Sequence, residues 1–298
     1  MSPEQILIVS RFAFDSAALL LWGGHVFLWI VLTDPLSARL ERRLAPLYDL
    51  AITALILGLA GKWAATIALI GNGWSDLGHV SLIRDILLDT RTGLQLGIQM
   101  ALTLALLVTY GLSKARRPQS VSLLAALLLA SMAISGHAAM HDGLLGTLLS
   151  ASMVLHILAA SAWLGFLPPV VVLLEKLASS PRDRDESMEG LIRFSTLGHV
   201  AVAVTLITGT LNSWLIVGTL WLRLDVPYQR LLAVKILLAL VMTGLAILNR
   251  YRFVPRLKTS PDKALHTIRS ATLAAIALGL GAIALVAAFG IMDPTPYA

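Results

Sequence analysis

With 57% hydrophobic and only 13% charged residues over 298 positions, and a mean hydropathy of +0.81, the chain is too apolar to present a water-facing surface. The lack of cysteine excludes disulfides and thiolate sites, leaving His, Met, Asp and Asn as possible metal ligands. The net charge of +6 comes from basic loops, as set out below, and gives no support to a nucleic-acid partner.

Eight apolar runs reach the roughly 20 residues that a helix needs to cross a bilayer core, which predicts an all-α polytopic membrane protein embedded in lipid. The first, about 6–32, follows Glu4 and contains Arg11, so it reads as a retained helix and not as a cleaved leader. It carries Asp15 in its outer third and His25 toward its inner end. The second, about 47–70, carries Lys62 at a depth like that of Asp15. An ion pair between the two is expected, because a lone charge there is costly.

The third run covers about 93–113 and the fourth about 120–140, with Met132 in its course. The fourth ends in SGHAAMHDG, where His137, Met140 and His141 stand at i, i+3 and i+4. That spacing predicts one face of the last turn of a helix, at its outer mouth. The fifth, about 146–174, descends from the same mouth with Met153 and His156 on one face. The sixth, about 191–219, begins near Arg193 and His199 and carries Asn212. The seventh, about 229–250, holds Lys235 in its outer half and Asn249 at its inner end. The eighth covers about 268–292.

Basic residues alternate by loop. Arg39, Arg42 and Arg43 lie in the first loop, and Lys114, Arg116 and Arg117 in the third. Lys176, Arg182, Arg184 and Arg193 lie in or beside the fifth, and six more in the seventh. The even loops hold only Arg84, Arg91, Arg223 and Arg230. Cytoplasmic loops collect Lys and Arg, so both termini are predicted to be periplasmic.

The chain also reads as two parallel four-helix halves, 1–140 and 141–298. Asp15 precedes Trp22 by seven in DSAALLLWGG, and His156 precedes Trp163 by seven in HILAASAWLG. Thr92 to Gln99 and Tyr228 to Lys235 repeat that spacing. Four helices per half would set the symmetry axis along the membrane normal, with sites near the interface between repeats.

Histidine in hydrocarbon points to ligand or relay chemistry. Imidazole with thioether suits copper, and Met favours Cu(I). The predicted path starts at His137, Met140 and His141, passes Met132, Met153 and His156, and leaves by His25 and His199. For Asp15, Lys62, Asn212, Lys235, Asn249 and Arg193, structural pairing or a polar lining is expected. Histidines at two matched depths, His137 with His156 and His25 with His199, would equally suit a di-haem cytochrome b, each haem taken axially by histidine.

The runs SGHAA at 135–139, HILAASAWLGFLPP from His156, RFSTLGHVAVAVTLITGTLNSWL from Arg193, YQRLLAVKILLAL from Tyr228 and LNRYRFVPRL from Leu248 resemble the copper resistance D family of bacterial inner-membrane proteins. The resemblance is dense over about residues 130–290 and thin before them. It implies eight transmembrane helices, copper movement from periplasm to cytoplasm, and a separate periplasmic partner of the copper resistance C type. By position it marks His137, His156, Arg193, Asn212, Lys235 and Asn249. The chain is therefore expected to be a non-enzymatic inner-membrane copper importer. The alternatives are the haem b cytochrome or a copper-binding assembly factor that does not transport.

Overall fold

The computed structural model describes residues 1–112, 117–179 and 183–295. Lys114, Arg116 and Arg182 of the predicted basic loops lie outside them. The described residues are helical with no strand. They form α1 (Pro3–Val26), α2 (Asp34–Ile70), α3 (Val80–Asp89), α4 (Arg91–Leu112), α5 (Arg117–Ala130), α6 (Gly143–Gly165), α7 (Leu167–Ser179), α8 (Arg184–Val217), α9 (Pro227–Leu248) and α10 (Pro261–Phe289).

Seven helical segments among the described residues are long and apolar enough to cross a bilayer, α6 and α7 together making one of them. The fourth predicted run differs. Its α-helix, α5, has 14 residues and stops at Ala130, and two 3-10 turns, Ser131–Ala133 and Gly136–Ala139, continue the chain. Local chemistry explains the break. Ser131 turns its hydroxyl back onto the Leu128 carbonyl at 2.6 Å, the Ser135 hydroxyl bonds Gln95, and Gly136 adopts φ +70°, where a side chain would be strained. The fifth run is also interrupted, at Phe166, just before Pro168 and Pro169.

α2 and α8 are longer than their apolar runs. At about 1.5 Å per residue the 37 residues of α2 extend about 55 Å, well beyond a core of about 30 Å. Pro46 separates the apolar stretch from an amphipathic extension that buries Leu36, Leu40 and Leu44. Arg39 on this extension reaches Asp183 at 3.1 Å and Glu186 at 3.0 Å, next to the first turn of α8.

The odd and even loops fall on opposite sides. Arg39–Glu186, Arg117–Glu41 (3.5 Å) and Arg269–Glu175 (3.1 Å) join odd loops. Arg91–Asp142 (3.9 Å) joins even ones, and Arg11 Nη1 donates to the Gly290 carbonyl at 3.1 Å on that same side. The main core lies around α1, α2, α4 and α5, with Phe14, Leu21, Leu55 and Leu128 fully buried. α1 and α6 cross at its edge. A Cβ on Gly23 would stand 2.5 Å from the Ser161 carbonyl and 2.7 Å from the Gly165 Cα, so the glycines permit the approach. Trp22 Nε1 donates to the Leu158 carbonyl across the same contact at 3.1 Å. By contrast, α9 leaves Leu237, Leu240 and Val241 exposed, as a lipid-facing helix does.

Candidate functional site

The richest membrane-embedded polar group lies between α6 and α8. His156 Nδ1 is 3.1 Å from both the Thr205 carbonyl and Thr208 Oγ1. A carbonyl only accepts, so Nδ1 carries the proton and Nε2 keeps its lone pair. Thr208 Oγ1 donates in turn to the Val204 carbonyl, which leaves its lone pairs for the imidazole. A Cβ on Gly209 would come within 3.0 Å of His156 Cε1, so glycine makes room for the ring. One turn further along α8, Asn212 Nδ2 donates to Met153 Sδ at 3.8 Å, while its buried Oδ1 has no partner. His156, Met153 and Asn212 are thus brought together, while Lys235 of α9 makes no hydrogen bond or ion pair with them. An imidazole held through Nδ1 with Nε2 free has the orientation and tautomer that a metal-binding histidine commonly takes.

The outer set is split. Since the α-helix ends at Ala130, His137, Met140 and His141 do not share a helical face, contrary to the expectation from their spacing. His137 packs edge-on to Tyr228 of α9, with ring centroids 5.3 Å apart, and its Nε2 is buried with no partner. Met140 is exposed. His141 Nε2 lies 3.2 Å from the Leu215 carbonyl, and the residue lines an open cavity of about 600 Å³ with Arg91, Asp142, Thr147, Ser150 and Val154. Thr147, Ser150 and Val154 follow one stripe of α6, and Met153 and His156 follow another. The cavity therefore does not lead directly to His156. Met132 packs on the main core, apart from the cluster that holds Met153.

His25 and His199, the predicted inner pair, have different direct neighbours. His25 is fully buried against Tyr48 (centroids 4.4 Å) and Tyr110 (6.5 Å), with Nδ1 on the Leu21 carbonyl at 2.9 Å and Nε2 without a partner. His199 is exposed, its ring 6.3 Å from that of Tyr251. Asp15 and Lys62 act on each other electrostatically, as expected, but form no direct ion pair within 4 Å. Lys62 Nζ donates to Gln99 Oε1 at 2.8 Å and stands 4.2 Å from the Phe14 ring centroid, and Gln99 Nε2 donates to Ser131 at 3.2 Å. A neutral amide and a ring face satisfy the ammonium there. Arg193 pairs with Glu189 one turn away, and Asn249 opens a π-helical turn with its Oδ1 buried and unpartnered.

Sequence reasoning passed over Thr205, Thr208 and Gly209, although with Asn212 they mark one face of α8 at i, i+3, i+4 and i+7. It also passed over Tyr228 as a contact of His137. That pairing crosses about 90 residues of sequence and has no local signature.

Two family profiles match the chain. One, described as copper resistance protein D-like, N-terminal domain, covers residues 1–147. The other, copper resistance protein D, covers residues 188–289. Met153 and His156 fall between the two stretches. Among curated relatives, "Inner membrane protein YebZ" of Escherichia coli K12 is 27% identical over 290 residues, covering 96% of this chain and 98% of that one. "Copper transport protein CutJ" of Bacillus subtilis 168 is 32% identical over 227 residues, 73% of this chain and 41% of the relative. No solved structure matches.

Proposed function

The chain belongs to the copper resistance D family as a multi-pass inner-membrane protein, and from that premise we propose that it carries copper, as Cu(I), from periplasm to cytoplasm. The observation that carries this reading is His156. It is a membrane-embedded imidazole anchored through Nδ1, with a free Nε2 and the thioether of Met153 one turn away on α6. A bare cation in a low-dielectric core is prohibitively costly, so a carrier needs ligands of this kind beyond its mouth. Soft thioether and imidazole donors, in a chain without thiols, suit Cu(I).

In this reading copper is captured near His137, passes Met153 to His156, and leaves on the inner side near His25 and His199, each acting on its own. The excess of basic residues in the odd loops supports a cytoplasmic placement of that side, with both termini periplasmic. Met140 and His141 line the outer approach, where a periplasmic partner of the copper resistance C type hands over its metal. Met132, Asp15, Lys62, Lys235, Asn249 and Arg193 then serve packing and charge balance. Two halves of four spans each, α5 with its 3-10 continuation being the fourth span, complete the architecture we propose. A pair of haems is less well supported, because His25 packs against Tyr48 and Tyr110 while His199 is exposed beside Tyr251.

The test is Cu(I) flux into proteoliposomes, measured beside equilibrium binding. Wild type should exceed empty vesicles, and His156→Ala should abolish flux while copper still binds at the outer face. Wild-type binding without flux would mean an assembly factor, and a Soret band in the purified protein would mean a cytochrome.

A further inference from the structure

The segment that follows α10 is tied down more firmly than a loop requires. After Phe289 the chain turns, with the Met292 amide on the Phe289 carbonyl at 2.9 Å, and passes over the outer ends of α1 and α9. Arg11 of α1 donates to the Gly290 carbonyl, and a Cβ at that glycine would stand 2.4 Å from Arg11 Nη2. Gln229 of α9 is 2% exposed and donates through Nε2 to the Pro294 carbonyl at 3.0 Å, while its Oε1 accepts from the Arg223 amide at 2.7 Å. Pro294 itself is buried. Both ends of the segment are therefore fastened by side chains from other helices.

Beneath it, Tyr228 and Phe289 stack edge-on at 5.0 Å, and His137 packs on Tyr228. Met153 and Met292 are both half-buried against the hydrophobic cluster that holds Tyr228 and Phe289. One imidazole with a buried, unpartnered Nε2 and two thioethers thus border the same cluster. Methionine alone is ordinary packing material. Together with an unpartnered imidazole nitrogen on the proposed copper route, it makes a soft donor set for a monovalent ion.

We propose that residues 290–295 form a fixed strap whose Met292 joins His137 and Met153 as an outer Cu(I) site, with Arg11 and Gln229 as its fastenings. The inference rests on the copper reading above and adds a ligand that neither the sequence motifs nor the relatives point to.

Purified full-length protein in detergent, titrated with Cu(I) against bathocuproine disulfonate and followed by X-ray absorption, tests it. Every Cu–S scatterer must be methionine, because the chain has no cysteine. Met292→Leu should remove one sulfur from the copper shell. It should also weaken the site roughly 10- to 100-fold, the loss expected even for outer-shell partners. His137→Gln should weaken it at least as much with the sulfur count retained. Gln229→Leu, which frees the strap but leaves all three donors, should weaken it less. If Met292→Leu keeps both the wild-type affinity and the wild-type sulfur count, the strap site is wrong and the copper reading stands. If wild type itself retains no Cu(I), the copper reading fails with it.

Discussion

The histidines within and beside the membrane spans are each held through one ring nitrogen where a main-chain carbonyl is in reach, and what distinguishes them is the surroundings of the other nitrogen. At His156 the holding partners separate cleanly into main chain and side chain, and this yields a prediction. Thr208→Val removes an acceptor of the imidazole N–H, a bond worth about 1 kcal/mol, and should weaken Cu(I) binding roughly tenfold, as outer-shell losses do. Thr205→Val should be silent, because His156 uses the Thr205 carbonyl while the Thr205 hydroxyl bonds Ala201. Competition titration of both variants reads the difference. At this scale the residue types were legible in the sequence and their company was not. His156 stands out in any apolar run, and depth rightly placed it near Met153. Depth along a helix carries no azimuth, however, so the direct neighbours of His25 and Lys62, namely Tyr48 and Gln99, could not be foreseen.

Between helices, α1 and α6 cross closely where two tryptophan-glycine segments meet. Gly165→Ala would put a Cβ 2.7 Å from the Gly23 Cα, and backbone cannot yield as a side-chain tip does. The variant should lose about 1–3 kcal/mol of stability, the usual cost of overpacking, seen as a lower thermal midpoint in detergent. Gly97→Ala, where a Cβ meets nothing within 4 Å, is the matched control and should melt like wild type. Glycine next to tryptophan was readable as a recurring motif, and the structure shows where these segments touch. The end of α5 was not readable. Hydropathy continues without interruption past Ala130, whereas the helix is stopped by a serine hydroxyl folding back on the chain and by a left-handed glycine. Neither leaves a mark in a window average.

Across the whole molecule, sidedness is the property on which every assigned depth depends. Reporter fusions placed after residue 298 and within 114–119 should report periplasm and cytoplasm respectively, and cytoplasmic activity from the first would invert the proposed route. The alternation of basic loops was legible because it is a count along the chain, and the ion pairs of the structure collect those loops on one side. The lengths of α2 and α8 were hidden, since their charged extensions look like loop to a hydropathy scale. Those extensions carry a mechanical consequence. The ion-paired collar of Arg39, Asp183 and Glu186 cannot be drawn into hydrocarbon without stripping its charges of water, so it acts as a depth stop. In a thicker or thinner bilayer α2 and α8 therefore keep their level, and hydrophobic mismatch falls on helices without such a collar.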